Sequence, residues 1–294
     1  MTNALTPADL VSEVSSLFTL PDLVVRALGV MDSPKASAQD LVEVIELDAG
    51  LAAMVLKLAN SAMYGHMGRV DTLGRAVALI GHKALRDLVL ATSAVRTFKD
   101  IPAEFVDMDT FWDSSITCGV LARLIARYAR LPDVETLFLG GLLHGVGRLV
   151  FYARRPAQYQ EVIALTQTQG LRLHLAERAV FGFDFTAVGA ALMQAWHLPE
   201  RLVATLRDQH AETPPPGLEK EVAAIRLACA MTEHLAPCLK SQEPGEDFKP
   251  DEEIAPTLTT LALSPAALAE INMEALAASL EVIEIMHPGA SIIF

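Results

Sequence analysis

Apolar residues return every three or four positions along almost the whole chain. Runs that alternate apolar with polar residues and carry the Val, Ile, Thr and aromatic enrichment of strands are nearly absent. A chain patterned this way satisfies its backbone polar groups inside each helix and builds its core by packing helix on helix. The pattern predicts an all-α fold. Hydrophobic residues make up 52% of the 294 and charged residues 20%, so a sizeable core can form and disorder is excluded for most of the chain.

Start signals place the elements. Thr6 before Pro7 is an N-cap followed by proline at the first helical position, and Ser37 with Asp40 reads as a capping box for a helix through Leu47. Further helices are expected over Pro21–Asp32, Gly50–Ala62, Thr72–Ile80, His82–Phe98, Asp109–Tyr128, Asp133–Leu143, Pro156–Thr168, Leu171–Phe181, Asp184–Trp196, Pro199–His210 and Lys220–Leu235, with short Gly, Pro or polar connections. Ala211–Gly217, with three successive prolines, and the acidic stretch Ser241–Glu253 read as exposed connections. Beyond them Ser264-Pro265 caps a short helix, and Asn272 starts another through Met286 whose apolar face needs a partner surface. This divides the chain into an N-terminal helical half (1–105), a second helical half (106–211) and a C-terminal extension (218–294) containing the acidic linker 241–253.

Composition narrows the function. The formal charge of −13 would repel a polyanion, so generic nucleic-acid binding is disfavoured. The longest charge-free stretch, Ile254–Ala269, is shorter than the ~20 residues of a membrane span and holds two prolines. The first residues lack the basic and apolar blocks of a secretory signal, which makes the cytoplasm the expected location. Cys118, Cys229 and Cys238 have no CxxC spacing, which argues against a disulfide framework or a thiolate zinc site and leaves them as ordinary thiols.

The densest motif is Gly140-Gly141-Leu142-Leu143-His144-Gly145-Val146-Gly147-Arg148-Leu149, where one apolar helix ends and another begins. Its glycines let backbones approach closely. His144 is either a ligand or base, or a satisfied histidine at a tight junction. Asn60 and Ser61, before Tyr64-Gly65, have a structural task available in capping free carbonyls at a helix end. Alternatively this loop, with His66, Arg69 and the neighbouring Arg75, Lys83 and Arg86, forms a basic patch for a phosphate-bearing ligand or an acidic partner. No P-loop, GxGxxG or Ser-His-Asp signature accompanies these residues.

Several motifs in order, Leu20-Pro21, Asp48-Ala49-Gly50-Leu51, Leu58 to Gly65, Ile80-Gly81, Gly141 to Leu149, Phe181-Gly182, Val188-Gly189, Trp196-His197-Leu198-Pro199 and His210, make the segment from Leu17 to Ala211 resemble the HDOD domain. That resemblance implies an all-helical bacterial signalling module, related to the HD phosphohydrolases but generally without their metal-dependent catalysis, acting by protein contact. HD chemistry calls for an upstream His, a His-Asp pair and a later Asp around hard divalent ions. Here His144 is followed by Gly145, and the helix Asp109–Tyr128 holds no histidine. His174 with Glu177, and His197 with His210, are the remaining residues from which a substitute site could be built.

The resulting expectation is a noncatalytic cytoplasmic regulator with no cofactor and no catalytic or metal residues. It would work through contacts with signalling proteins, and homodimerisation is compatible with the sequence. Asn60, Ser61, Tyr64, His66, Arg69, His144, Arg148, Trp196 and His210 are its candidate ligand or partner site. The alternatives are a metal-dependent phosphohydrolase or phosphodiesterase with substituted ligands, and a small-molecule sensor with a pocket between the N-terminal helices and the His144 region.

Overall fold

The computed structural model describes residues 5–14, 18, 21–31, 37–64, 70–98, 101, 106–241 and 247–288. The described residues form helices and no strands: α1 (Pro7–Val14), α2 (Asp22–Met31), α3 (Ala38–Glu46), α4 (Ala49–Ala59), a 3-10 turn at Ala62–Tyr64, α5 (Leu73–Thr97), α6 (Met108–Tyr128), α7 (Val134–Leu143), α8 (Val146–Arg154), α9 (Pro156–Gln169), α10 (Leu173–Phe181), α11 (Phe185–Ala195), α12 (Glu200–Arg207), α13 (Glu219–Ser241), α14 (Ala255–Leu261) and α15 (Pro265–Met286). Thr6 with Asp9, and Ser37 with Asp40, form the reciprocal caps that start α1 and α3.

The centre of the fold is α6, buried on every side from Ser115 to Ala126. A helix apolar all round must be enclosed by others, and α7, α13 and α15 pack around it. The stretch Val134–Arg154 and α13 are each long and apolar enough to cross a membrane by length and composition; in this structure both are packed against other helices. Around this centre α4 and α5 pair on one side, and α8 meets α11 and α1 on another.

The two helices expected on either side of Gly81 are present as the halves of α5, parted by a kink at Gly81, whose φ of +85° and ψ of 161° are not helical. Two other elements differ from the sequence reading. α13 continues through Pro237 to Ser241, so the proline costs one hydrogen bond but does not stop a helix held by the packing of Leu235 and Cys238. α15 is one continuous helix from the Ser264 cap to Met286, with Asn272 buried inside it rather than starting a second helix. Tertiary burial of Leu268, Ile271 and Ala275 outweighs the local capping preference of asparagine.

The described part of the acidic linker is exposed, as its composition predicts, with Phe248 and Pro250 half-buried. Residues 242–246 lie outside the described residues. Phe248 packs edge-on against His234, Arg172 pairs with Glu253, and Asp251 accepts the N–H groups of Glu253 and Ile254. An aromatic ring among the acids ties the second half of the segment to the body.

The apolar face of α15 finds its partner surface on the body of the protein. It lies along α6 and touches α4 and the 3-10 turn. Glu274 bonds Arg127 and Tyr128, Glu281 accepts the N–H of Ala62 at 2.9 Å, and His287 approaches Asp109 and Asp113 at 3.4 and 3.5 Å.

Candidate functional site

Asn60 closes the turn after α4. Its side chain donates to the carbonyls of Leu56 and Val70 at 2.8 and 2.7 Å and accepts the Val70 N–H at 2.8 Å, pinning the two ends of the segment 60–70 together. Ser61 is buried and donates to the Leu58 carbonyl. Both side chains do the capping work that the sequence permits. His66 and Arg69 lie outside the described residues, and Lys83 of the expected basic patch is paired with Asp133 at 2.6 Å.

Tyr64 points inward. Its hydroxyl donates to Glu135 at 2.5 Å, Arg123 donates to the same carboxylate at 2.8 Å and to the Met63 carbonyl at 2.5 Å, and the guanidinium lies 4.6 Å from the Tyr64 ring centre. Burial, then the Glu135 charge, pushes the Tyr64 hydroxyl well above its ordinary range, so it stays a donor. Asp87, on the adjoining α5, is buried and held up to about 6 by desolvation against its bond from Thr136. A cavity of about 240 Å³ borders this network, lined by Tyr64, Ile80, Arg123 and Glu135 among others.

The second cluster sits at the α7–α8 junction. A Cβ on Gly141 would stand 2.7 Å from Gly119 Cα and meet the Cys118 carbonyl, and one on Gly147 would stand 2.6 Å from Gly189 N and meet the Phe185 carbonyl. Absence of side chains therefore sets how closely α7 approaches α6 and α8 approaches α11. His144, held at this crossing, pairs its Nδ1 with the Gly141 carbonyl at 2.7 Å. A carbonyl only accepts, so Nδ1 carries the proton and Nε2 keeps its lone pair. Gln209 donates to the His144 carbonyl at 3.2 Å.

Gly145 stands where an HD carboxylate would follow the histidine. A Cβ there would run into the Arg148 guanidinium, whose Cζ would lie at 3.1 Å. That guanidinium also lies 5.1 Å from the Phe185 ring centre and 5.9 Å from that of Phe111. Position 145 thus offers no carboxylate, and the end of a cationic side chain lies beside it.

Sequence spacing gave no hint of what else lies at this junction. One ligand-capable atom each from Cys118 on α6, His144 and Cys229 on α13 lies within 4.8 Å of the other two, and the two sulfurs are 3.7 Å apart. The absence of CxxC spacing is thus no guide to these thiols, because 111 residues separate partners that the fold makes neighbours. The hydrogen bond from Cys118 draws the Cys229 thiol well down, with His144 and Arg148 adding to it against burial. The same bond, then burial, pushes Cys118 up.

The remaining candidates separate. His210 stacks on His174 with ring centres 4.1 Å apart and touches Phe185 edge-on, so it adjoins the Arg148 side of the second cluster. Burial first, and then His174, hold His210 down to about 3. Glu177 turns away from His174 into the core, accepting from Tyr159 at 2.5 Å and from the Phe185 N–H at 2.7 Å, and burial raises it to about 7. His197 has a positive φ of 55° at the turn after α11. Trp196 donates to the Phe18 carbonyl at 2.9 Å and packs on Phe98, a structural role. The seven described residues of the expected site therefore contribute to different places in the fold.

Comparison with known proteins agrees with this architecture. The HDOD domain model matches residues 17–212. An uncharacterized protein of Treponema pallidum (strain Nichols) is 25% identical over 207 residues, covering 69% of this chain but 39% of that relative, so the chain spans well under half of the curated protein it matches. An HDOD domain protein of unknown function from Geobacter sulfurreducens superposes with a TM-score of 0.71 at 24% identity, over 95% of this chain and 98% of the other. A Shewanella amazonensis SB2B protein provisionally named a phosphohydrolase gives 0.73 at 24% identity, over 94% and 97%. One from Marinobacter aquaeolei VT8, provisionally named a signal transduction protein, gives 0.67 at 23%, over 94% of this chain and 60% of that one. With the family model covering most of the chain and the fold shared along nearly its full length, this protein belongs to the HDOD family.

Proposed function

We propose that this protein is a noncatalytic regulator that relays a signal through contacts with other proteins. The observation that carries this reading is Gly145 with Arg148: the place of the HD carboxylate holds no ligand and is filled by a guanidinium. Tyr64, Glu135 and Arg123 satisfy one another, so that cluster serves the fold before any chemistry. The name of the Marinobacter relative is consistent with a signalling role. The test is incubation of the full chain with Mn²⁺, Mg²⁺ or Fe²⁺ and phosphodiester substrates, cyclic dinucleotides included. No turnover is expected, and turnover that disappears in His144→Ala overturns the reading.

A second reading, a small-molecule sensor, is favoured by the cavity beside Tyr64 and Arg123. It lies between α4–α5 and α6–α7, although His144 does not line it. A metabolite panel scored by thermal shift, repeated on Arg123→Met, separates the two: a ligand whose shift is lost in the variant supports the sensor.

A further inference from the structure

We propose that Cys118, Cys229 and His144 form a binding site for a thiophilic d¹⁰ cation, Zn²⁺ or Cu⁺, held by two thiolates and one imidazole. Two thiolates, each about 2.3 Å from a tetrahedral ion, lie about 3.8 Å apart. The sulfurs here are 3.7 Å apart. The arrangement therefore needs little movement to close on a metal.

The imidazole is prepared for the same task. Ligating histidines commonly donate their second ring N–H to a carbonyl, which fixes tautomer and orientation. His144 makes that bond to Gly141, leaving Nε2 as the donor atom. Gly141 in turn rests against the Cys118 backbone, so one contact sets the positions of two of the three ligands.

The donor set selects the ion. Sulfur and imidazole suit Zn²⁺ and Cu⁺, whereas Mg²⁺ and Mn²⁺ prefer oxygen. The junction thus lacks the oxygen-rich set of a hydrolytic HD centre and offers a softer one, which makes the inference independent of the noncatalytic reading. Charge also balances. Two thiolates with Zn²⁺ are neutral, while with Cu⁺ they leave one negative charge beside Arg148, whose buried Nε has no hydrogen-bond partner among the described residues. The ligands come from α6, the α7–α8 junction and α13, so a bound ion would fasten the α13 helix to the centre of the fold.

The experiment titrates the reduced full chain with Zn²⁺, and anaerobically with Cu⁺, against a chromophoric chelator, using Co²⁺ as a spectroscopic probe. One equivalent per chain is expected, with thiolate-to-cobalt charge transfer in the near ultraviolet. Alkylation of the partly buried Cys229, followed by mass spectrometry, should slow at least about tenfold when the ion is added. Cys118→Ser and Cys229→Ser should each weaken binding at least about 100-fold, exceeding the 10–100-fold of an outer-shell change, while Cys238→Ser leaves it unchanged. The ion that better resists the chelator identifies which of the two the site prefers. Circular dichroism verifies that the variants fold, and the alkylation readout needs no variant. Absence of stoichiometric binding overturns the proposal. So does binding retained in both serine variants, or a Cys118–Cys229 disulfide as the pair's sole chemistry.

Discussion

The Arg148 guanidinium occupies the space into which a side chain at position 145 would project. Gly145 itself has φ −104° and ψ 0°, a conformation open to any residue, and what stands in the way is the movable end of a long side chain. Gly145→Asp should therefore fold, lose ~1–3 kcal/mol because the new carboxylate enters a buried position where the half-buried Arg148 is its available cation, and still hydrolyse no phosphodiester with Mn²⁺. Denaturant melts and a turnover assay check both parts; hydrolysis appearing in this variant would mean that a single carboxylate is all the site lacks.

At Gly141 and Gly147 the obstructing atoms are backbone and cannot step aside. Gly141→Leu and Gly147→Leu should each lose stability at or beyond the upper end of ~1–3 kcal/mol. Gly74, helical and with open space around it, is the control: Gly74→Ala should gain up to ~1 kcal/mol. Equal melting temperatures for all three would show that the helix crossings are not set by these glycines.

Two buried groups give stability a pH dependence of opposite sign. Glu177 is raised to about 7 by burial, so its contribution is complete below its unfolded value near 4.5 and is lost as pH rises through 7. Glu177→Gln, which keeps partners for Tyr159 and the Phe185 N–H, should be more stable than wild type by ~1–3 kcal/mol at pH 8, with the gap closing near pH 4.5. His210 is depressed to about 3 by burial, with His174, Arg226 and His144 adding to it and Asp184 opposing. Its contribution is present above pH ~6.5 and is lost as the unfolded chain takes up a proton between there and pH 3. His210→Phe should flatten that acid limb, as urea titrations at pH 4, 6 and 8 would show.

A chain ending at Gln242 would uncover the surface of α6, α13 and α4 on which α15 packs, and with it the apolar area that Leu268, Ile271, Ala275, Val282 and Ile283 bury. Such a patch binds apolar dyes and promotes association. Increased anilinonaphthalene sulfonate fluorescence and a gel-filtration shift to larger species than the full chain forms are expected; a soluble, equally heat-stable fragment would show that α15 is dispensable to the body.

Local chemistry made much of the fold legible in the sequence. The Ser37 cap, the Thr72 start and the Gly141 and Gly147 contacts are all encoded within a few residues, and each stands where the sequence places it. Asn272 and Pro237 mislead because their local preferences, worth about 1 to 3 kcal/mol, are outweighed by long-range burial. The candidate site was less legible for the same reason. Tyr64 with Glu135, and Cys118 with Cys229, are partners 71 and 111 residues apart, and helical periodicity carries no information about which faces meet.

The bond from the Ala62 N–H to Glu281 spans 219 residues. At the ~5–20 residues per second of synthesis, α15 leaves the ribosome roughly ten to forty seconds after the turn it completes. During that interval the nascent chain holds the Ala62 turn without its acceptor and α6 without one wall, which makes this early-made surface a natural substrate for chaperones until translation catches up.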